Sequence, residues 1–300
     1  MSTGHLRGEL RINELMARHT SWRVGGPADR WYRPADAQDL SHFLSGLRAG
    51  EPLMWVGLGS NLLVRDGGVR GTVIACSGIM DDLEILEDQR IRAGAGVSCA
   101  KLARFCAEHD RVGGEFFAGI PGALGGALAM NAGAWGDDTW SHVREVLTID
   151  RQGRMERRHP SEYQVGYRSV RGRGEAWFVE AVLQFEAGDG TRSRQHIKDL
   201  LARRGETQPI GQPSCGSVFR NPPGDHAARL IEACGLKGFA IGGAQVSEKH
   251  ANFIINTGGA RARDIEALMS HVRQVVQAHY GVALESEVRI VGEPHREDRA

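Results

Sequence analysis

Ser217 sits in the run Ser214-Cys-Gly-Ser-Val-Phe-Arg220, directly after Gly216 and downstream of Pro209 and Pro213. A hinge glycine inside a proline-stiffened frame can present a hydroxyl to a reactant, although the same Gly-Ser pair also serves as an ordinary turn. A second segment, Gly57-Leu-Gly-Ser-Asn-Leu-Leu-Val-Arg-Asp66, follows an apolar run. Gly57 and Gly59 allow backbone N–H groups to approach a phosphate, and Ser60 and Asn61 add side-chain donors. A dinucleotide fingerprint of the Rossmann kind needs glycine at position 62 and a helix next. Leu62 and the strand-like 63–75 exclude that fold, and a plain Gly-Leu-Gly turn is the alternative reading.

The run from Gly119 to Gly136 contains Pro121, Gly122, Gly125, Gly126, Asn131 and Gly133. So dense a set of glycines lets backbone lie flat against a planar ligand, whereas a tight helix-sheet seam would account for the Gly125-Gly126 pair alone. Gly166-Tyr-Arg-Ser169 places a permanently charged, fork-shaped guanidinium at Arg168. Late in the chain, Leu284, Ser286, Val288 and Ile290 alternate with Glu285, Glu287 and Arg289, so a strand is predicted with Glu287 opposite its apolar face. By itself such a carboxylate is solvated or paired with Arg289.

Taken in order, these motifs resemble the UDP-N-acetylenolpyruvoylglucosamine reductase family, and the likeness runs from about His19 to Arg289. The resemblance implies an FAD-binding domain of the vanillyl-alcohol-oxidase type, two small α+β lobes, followed by a C-terminal α+β substrate domain. Val24-Gly-Gly-Pro-Ala-Asp29 matches the family's entry motif, and the Gly119 segment is assigned to non-covalent FAD. The implied reaction moves hydride from NADPH through FAD to C3 of an enolpyruvyl ether on a UDP-sugar, and leaves carbanion character at C2 beside a carboxylate. Such a centre needs a proton donor, which the family gives to Ser217, and positive charge on the carboxylate, which suits Arg168. Glu287 belongs at the same carboxylate if it is protonated or shares a proton. Tyr167, Arg204, Asn221 and His250 are the expected substrate contacts, with core packing as the alternative for Tyr167 and a surface position for the others. The family commonly spaces its serine one residue further from the arginine than Ser169 stands here, which leaves that serine without a role. The short interval from Val170 to Arg203 fits the family's shorter subclass. A flavin oxidase on the same fold gives no reason for Ser217, Arg168 and Glu287 to occur together, and a non-catalytic nucleotide-binding paralogue has no need of all three.

The elements that must position these residues follow from periodicity. Strands are predicted at 53–58, 69–75, 91–94, 143–150 and 177–185, and helices at 36–47, 98–109 and 194–204. Asp225 is expected to cap a helix ending at Gly235. A last helix with Ile265, Leu268, Met269, Val272, Val275 and Val276 on one face is expected to stop at Gly281. The expected division is 1–75 and 76–188 for the two FAD lobes and 189–300 for the substrate domain.

Lys plus Arg and Asp plus Glu both number 37, so no global field favours nucleic acid or an anionic membrane. Basic residues gather at 151–158 and 168–173, read as a solvated hairpin or as substrate steering. The uncharged stretch 116–135 approaches the length of a membrane span, but Pro121, Asn131 and its glycines argue against one. Five cysteines without a Cys-x-x-Cys pair, and no secretory pattern at the start, predict a cytoplasmic protein. His271 and His279, on the last helix, are expected to be flank histidines rather than metal ligands.

Overall fold

The structure is a computed structural model that describes residues 6–172 and 174–295. Its helices are α1 (Ala37–Ser45), α2 (Cys99–Glu108), α3 (Leu124–Met130), α4 (Gly190–Thr207), α5 (Ala227–Ala233) and α6 (Ala262–Tyr280). Asp36 caps α1 by accepting the Asp39 N–H, and Ser98 caps α2 by accepting the Lys101 N–H. The early strands are Glu9–Leu15, Pro27–Arg33, Leu53–Val56 and Val69–Ala75. The expected α+β class is borne out. No helix among the described residues is long and apolar enough to cross a membrane.

The chain divides into two compact units that interleave in sequence. Among the described residues the first comprises 6–10, 32–57, 74–172 and 174–203. An antiparallel five-stranded sheet runs through it in the order Met155–Arg158, Val143–Asp150, Ala176–Leu183, Ile91–Gly94, Leu83–Ile85. Leu102 and Cys106 of α2 and Leu124 and Leu128 of α3 are buried with Ile91, Val146, Ala181 and Leu183 of that sheet in one core. Removing this apolar surface from water is what holds the unit together, at roughly 25 cal/mol per Å².

Among the described residues the second unit comprises 11–31, 58–73 and 204–295. Its core joins Leu230 and Ile231 of α5, Ile265, Leu268, Val272 and Val276 of α6, and Trp22, Leu63, Val218 and Phe219. Both Asp66 carboxylate oxygens accept N–H groups at the start of α6, from Ala262 and Arg263 at 3.0 Å each. At the other end Gly281 closes α6 at a φ of 69°, as its glycine predicts.

Three expectations change. Asp225 does not cap α5: its carboxylate takes the His226 N–H and pairs with Arg229, while Asn221 Oδ1 accepts the first helical N–H, that of Ala227. The Gly119 segment is not flat, because residues Glu115–Gly119 wind as a 3₁₀ turn and Leu124–Met130 as α3, which ends at Asn131 with a φ of 44°. The predicted final strand changes partner midway. Residues 285–287 run beside 218–220, and only Arg289–Val291 pairs in parallel with Leu62–Val64.

The basic residues of 151–158 are largely committed to carboxylates, with Arg154 on Asp150, Arg157 on Glu145 and Arg158 on Glu156. Arg173 lies outside the described residues. His271 stacks on Phe239 and His279 bonds to the Val275 carbonyl. No group of three metal-ligating side chains occurs among the described residues.

Candidate active site

Ser217 and Glu287 are brought onto neighbouring chain segments of the second unit. The Glu287 N–H donates to the Val218 carbonyl at 2.9 Å, and the Arg220 N–H to the Glu285 carbonyl at 2.9 Å. Ser217 and Glu287 are both half-buried, while Val218 and Val288 beside them are buried in the core. Apolar neighbours thus pin each backbone and leave the polar side chains at the rim. Two residues earlier, the Cys215 sulfur accepts the Leu62 N–H at 3.0 Å, and burial pushes this thiol up to about 12. Cys215 is therefore a neutral spacer between the serine loop and the 57–66 segment, with no thiolate chemistry.

Asn61 is tied to the same place. Its Nδ2 donates to the Glu287 carbonyl at 3.1 Å and its own carbonyl accepts the Arg289 N–H at 3.2 Å. Gly59, at a φ of 62°, lies so close to another backbone that an added Cβ would stand 2.0 Å from the His19 oxygen. Ser60 is half-buried between them.

Arg168 occupies the tip of a hairpin in the first unit, between strands Gln164–Gly166 and Ser169–Arg171. Its φ of 51° is a left-handed conformation that costs a side-chain-bearing residue on the order of 1 kcal/mol. Arg168 Nη2 donates to the Gly133 carbonyl at 3.1 Å, its guanidinium lies 5.6 Å from the Tyr167 ring centre, and Asn131 Nδ2 donates to the Gly166 carbonyl at 3.3 Å. Tyr167 is 64% exposed, which rules out the core-packing alternative.

FAD demands places where backbone can be approached closely, and the glycines divide sharply on that test. Gly119 meets the Trp135 ring, Gly125 meets Ala95 at 3.0 Å and Gly133 meets the Asp137 oxygen at 2.3 Å, so internal packing explains all three. Gly126 is different: it is exposed within α3, with nothing within 4 Å of a Cβ, where alanine would favour the helix by about 1 kcal/mol. Gly57 is likewise open, its nearest neighbour being the Ala123 Cβ at 3.5 Å. At both positions the backbone is left open to close approach from outside the chain. Pro121 is exposed beside them, and the Gly122 carbonyl accepts the Cys99 N–H.

Of the remaining candidates, Arg204 donates from Nε to Gln208 at 2.9 Å, and burial lowers its pKa. Asn221 commits its oxygen to the start of α5. Burial also lowers the His250 pKa, and the Asn252 N–H donates to His250 Nδ1 at 3.3 Å, so the ring is neutral with its proton on Nε2. Asp66 and Asn252 went unassigned in the sequence reading. Asp66 closes the glycine segment, and Asn252 stands two residues from His250, but neither carries a signal of its bonding partners.

A family model described as an FAD binding domain matches residues 28–158, and one for the C-terminal domain of UDP-N-acetylenolpyruvoylglucosamine reductase matches residues 208–291. Curated proteins named UDP-N-acetylenolpyruvoylglucosamine reductase from Alkalilimnicola ehrlichii and Methylococcus capsulatus are each 61% identical to the chain, covering 95% and 96% of it and 96% and 94% of their own lengths. The Legionella pneumophila protein of that name is 54% identical over 100% of this chain and 98% of its own. The crystal structure of the Thermus caldophilus reductase superposes with a TM-score of 0.81 at 29% identity, covering 95% of this chain and 99% of that one. At such identity over nearly the full length, the chain belongs to the UDP-N-acetylenolpyruvoylglucosamine reductase family.

Proposed function

We propose that Ser217, Arg168 and Glu287 carry the chemistry of this reductase. The enzyme reduces the enolpyruvyl group of UDP-N-acetylenolpyruvoylglucosamine to give UDP-N-acetylmuramate for peptidoglycan precursors, with FAD as cofactor and NADPH as hydride source. Bound FAD supplies the hydride that reaches C3 of the enolpyruvyl ether. The open backbone at Gly57 and Gly126, with Pro121, Gly122, Ser60 and Asn61, would hold it.

The protein's own groups handle charge and protons. Arg168 grips the substrate carboxylate through two parallel N–H···O bonds, its plane set by the Gly133 carbonyl. Ser217 Oγ gives its proton to C2 and regains one from water, which its half-buried position admits. Glu287, protonated, donates to the carboxylate as it becomes enolate-like. A second anion there would oppose the developing charge. Neutral His250 offers Nε2–H, and Tyr167 and Arg204 offer further donors, to the UDP-sugar.

The observation that carries this reading is the bond between the Glu287 N–H and the Val218 carbonyl, which joins the chain segments that bear the proposed acid and the proposed carboxyl. We read the compartment as the cytoplasm, supported by five free thiols, four of them buried. Anaerobic titration tests the whole. The purified protein should be yellow, bleach with NADPH and recolour on adding the enolpyruvyl sugar nucleotide. A colourless protein without affinity for FAD defeats it.

A further inference from the structure

Asn252 is 4% exposed and makes three bonds to the two residues that follow Ser217. Its carbonyl accepts the Val218 N–H at 2.9 Å, its Oδ1 accepts the Phe219 N–H at 3.0 Å, and its Nδ2 donates to the Phe219 carbonyl at 2.8 Å. The opposite edge of the same segment is held by Glu285 and Glu287. On the other side of Ser217 the holds stop at Cys215, whose buried sulfur accepts the Leu62 N–H at 3.0 Å, and at Ser214, which is bridged to Ile255. Gly216 is left-handed, at a φ of 71°, and an added Cβ there would meet nothing within 4 Å. Between Cys215 and Val218 the open Gly216 leaves the Asn252 bonds as the anchor that adjoins Ser217 directly.

A side-chain amide accepts from the N–H through its oxygen and donates to the C=O of the same facing residue through its nitrogen. Aspartate can accept but not donate, and glutamine carries the amide one methylene too far. Asn252 also shares its turn with His250, whose carbonyl accepts the Phe253 N–H and whose Nδ1 accepts the Asn252 N–H.

We propose that Asn252 is a positioning residue for proton transfer, whose buried amide fixes the peptide frame from which Ser217 delivers its proton. This rests on the role proposed for Ser217. Displacement of a reacting group by about an ångström costs on the order of 10²-fold in rate, so the amide is worth that much without touching substrate.

The test uses full-length FAD-loaded protein carrying Asn252→Ala, Asn252→Asp, Ser217→Ala and the Ser217→Ala/Asn252→Ala pair. Anaerobic stopped-flow reads bleaching by NADPH and recolouring by the sugar nucleotide, and hydrogen exchange reads the Phe219 amide. Asn252→Ala is expected to slow recolouring by about 10- to 100-fold, leave bleaching within about threefold and speed Phe219 exchange at least about tenfold. On the Ser217→Ala background the same change should add less than about twofold, since both act at one proton. Asn252→Asp retains size and the acceptor, and should show the same split if Asn252→Ala does not fold. Equal slowing of both steps, full additivity, or parental recolouring in Asn252→Asp overturns the proposal while Ser217 keeps its role. Parental recolouring in Ser217→Ala overturns both.

Discussion

Glu287 donates its backbone N–H to the carbonyl of Val218, so removal of either functional side chain leaves the frame of the other intact. Ser217→Ala should bleach with NADPH at nearly the parental rate and recolour at least about 10²-fold more slowly, the usual scale for a positioned general acid. Ser217→Cys should recover part of that loss because a thiol can donate. Glu287→Gln should retain more turnover than Glu287→Ala, since an amide N–H replaces the carboxyl proton. Stopped-flow absorbance measures each step, and unchanged recolouring in Ser217→Ala would remove the serine from the mechanism.

Arg168→Lys keeps the charge and the left-handed backbone, and loses the fork that holds the Gly133 carbonyl and that we propose for the substrate carboxylate. Turnover at saturating substrate should fall at least about tenfold with FAD content unchanged. A value within about threefold of the parent would place the reacting carboxylate elsewhere.

Gly59 and Gly126 separate packing from ligand contact. Gly59→Val drives a side chain into the His19 carbonyl, so the cofactor-free protein should lose about 2 kcal/mol or more of stability. Gly126→Val meets open space, and the cofactor-free protein should stay within about 0.5 kcal/mol of the parent while purifying depleted of flavin. Melting temperatures of the cofactor-free proteins, with flavin absorbance of the purified ones, distinguish the two. Full flavin in Gly126→Val would move the cofactor away from α3.

His250 has a pKa lowered by burial, below its unfolded value of about 6.5. The unfolded chain therefore binds the extra proton first, and the stability from neutral His250 is complete above about pH 6.5 and lost as pH falls through the folded value. His250→Gln should flatten the acid limb of the melting curve below about pH 6.5. Substrate affinity in the parent should be level from about pH 7 to 9, and a rise in affinity on acidification would mean that the imidazolium is the binding form.

Much of the frame was legible in the sequence. Periodicity located α1, α2 and α6 to within a few residues, and Gly281 marked the end of α6. The Ser217 and Glu287 motifs could be named, but their adjacency could not, since the backbone bond that joins 218 to 287 belongs to tertiary structure. Glycine content was a blunter signal. Gly57 and Gly126 are open, whereas Gly59, Gly119, Gly125 and Gly133 are glycine because another atom of the same chain lies where a Cβ would go. Asn252 stayed hidden because nothing in His-Ala-Asn-Phe reveals which backbone its amide will meet.

The bonds that shape residues 58–66 reach far along the chain. Leu62 leans on Cys215, 153 residues later, Asp66 on Ala262, 196 later, and Asn61 on Glu287, 226 later. Synthesis delivers this segment early and its supports last, so it stays unshaped until residues near Val291 have left the ribosome. Such distant closures also make for slow folding. A nascent or truncated chain ending before Ala262 therefore carries the glycine motif without its form, and the motif takes shape only with residues 262–291 in place.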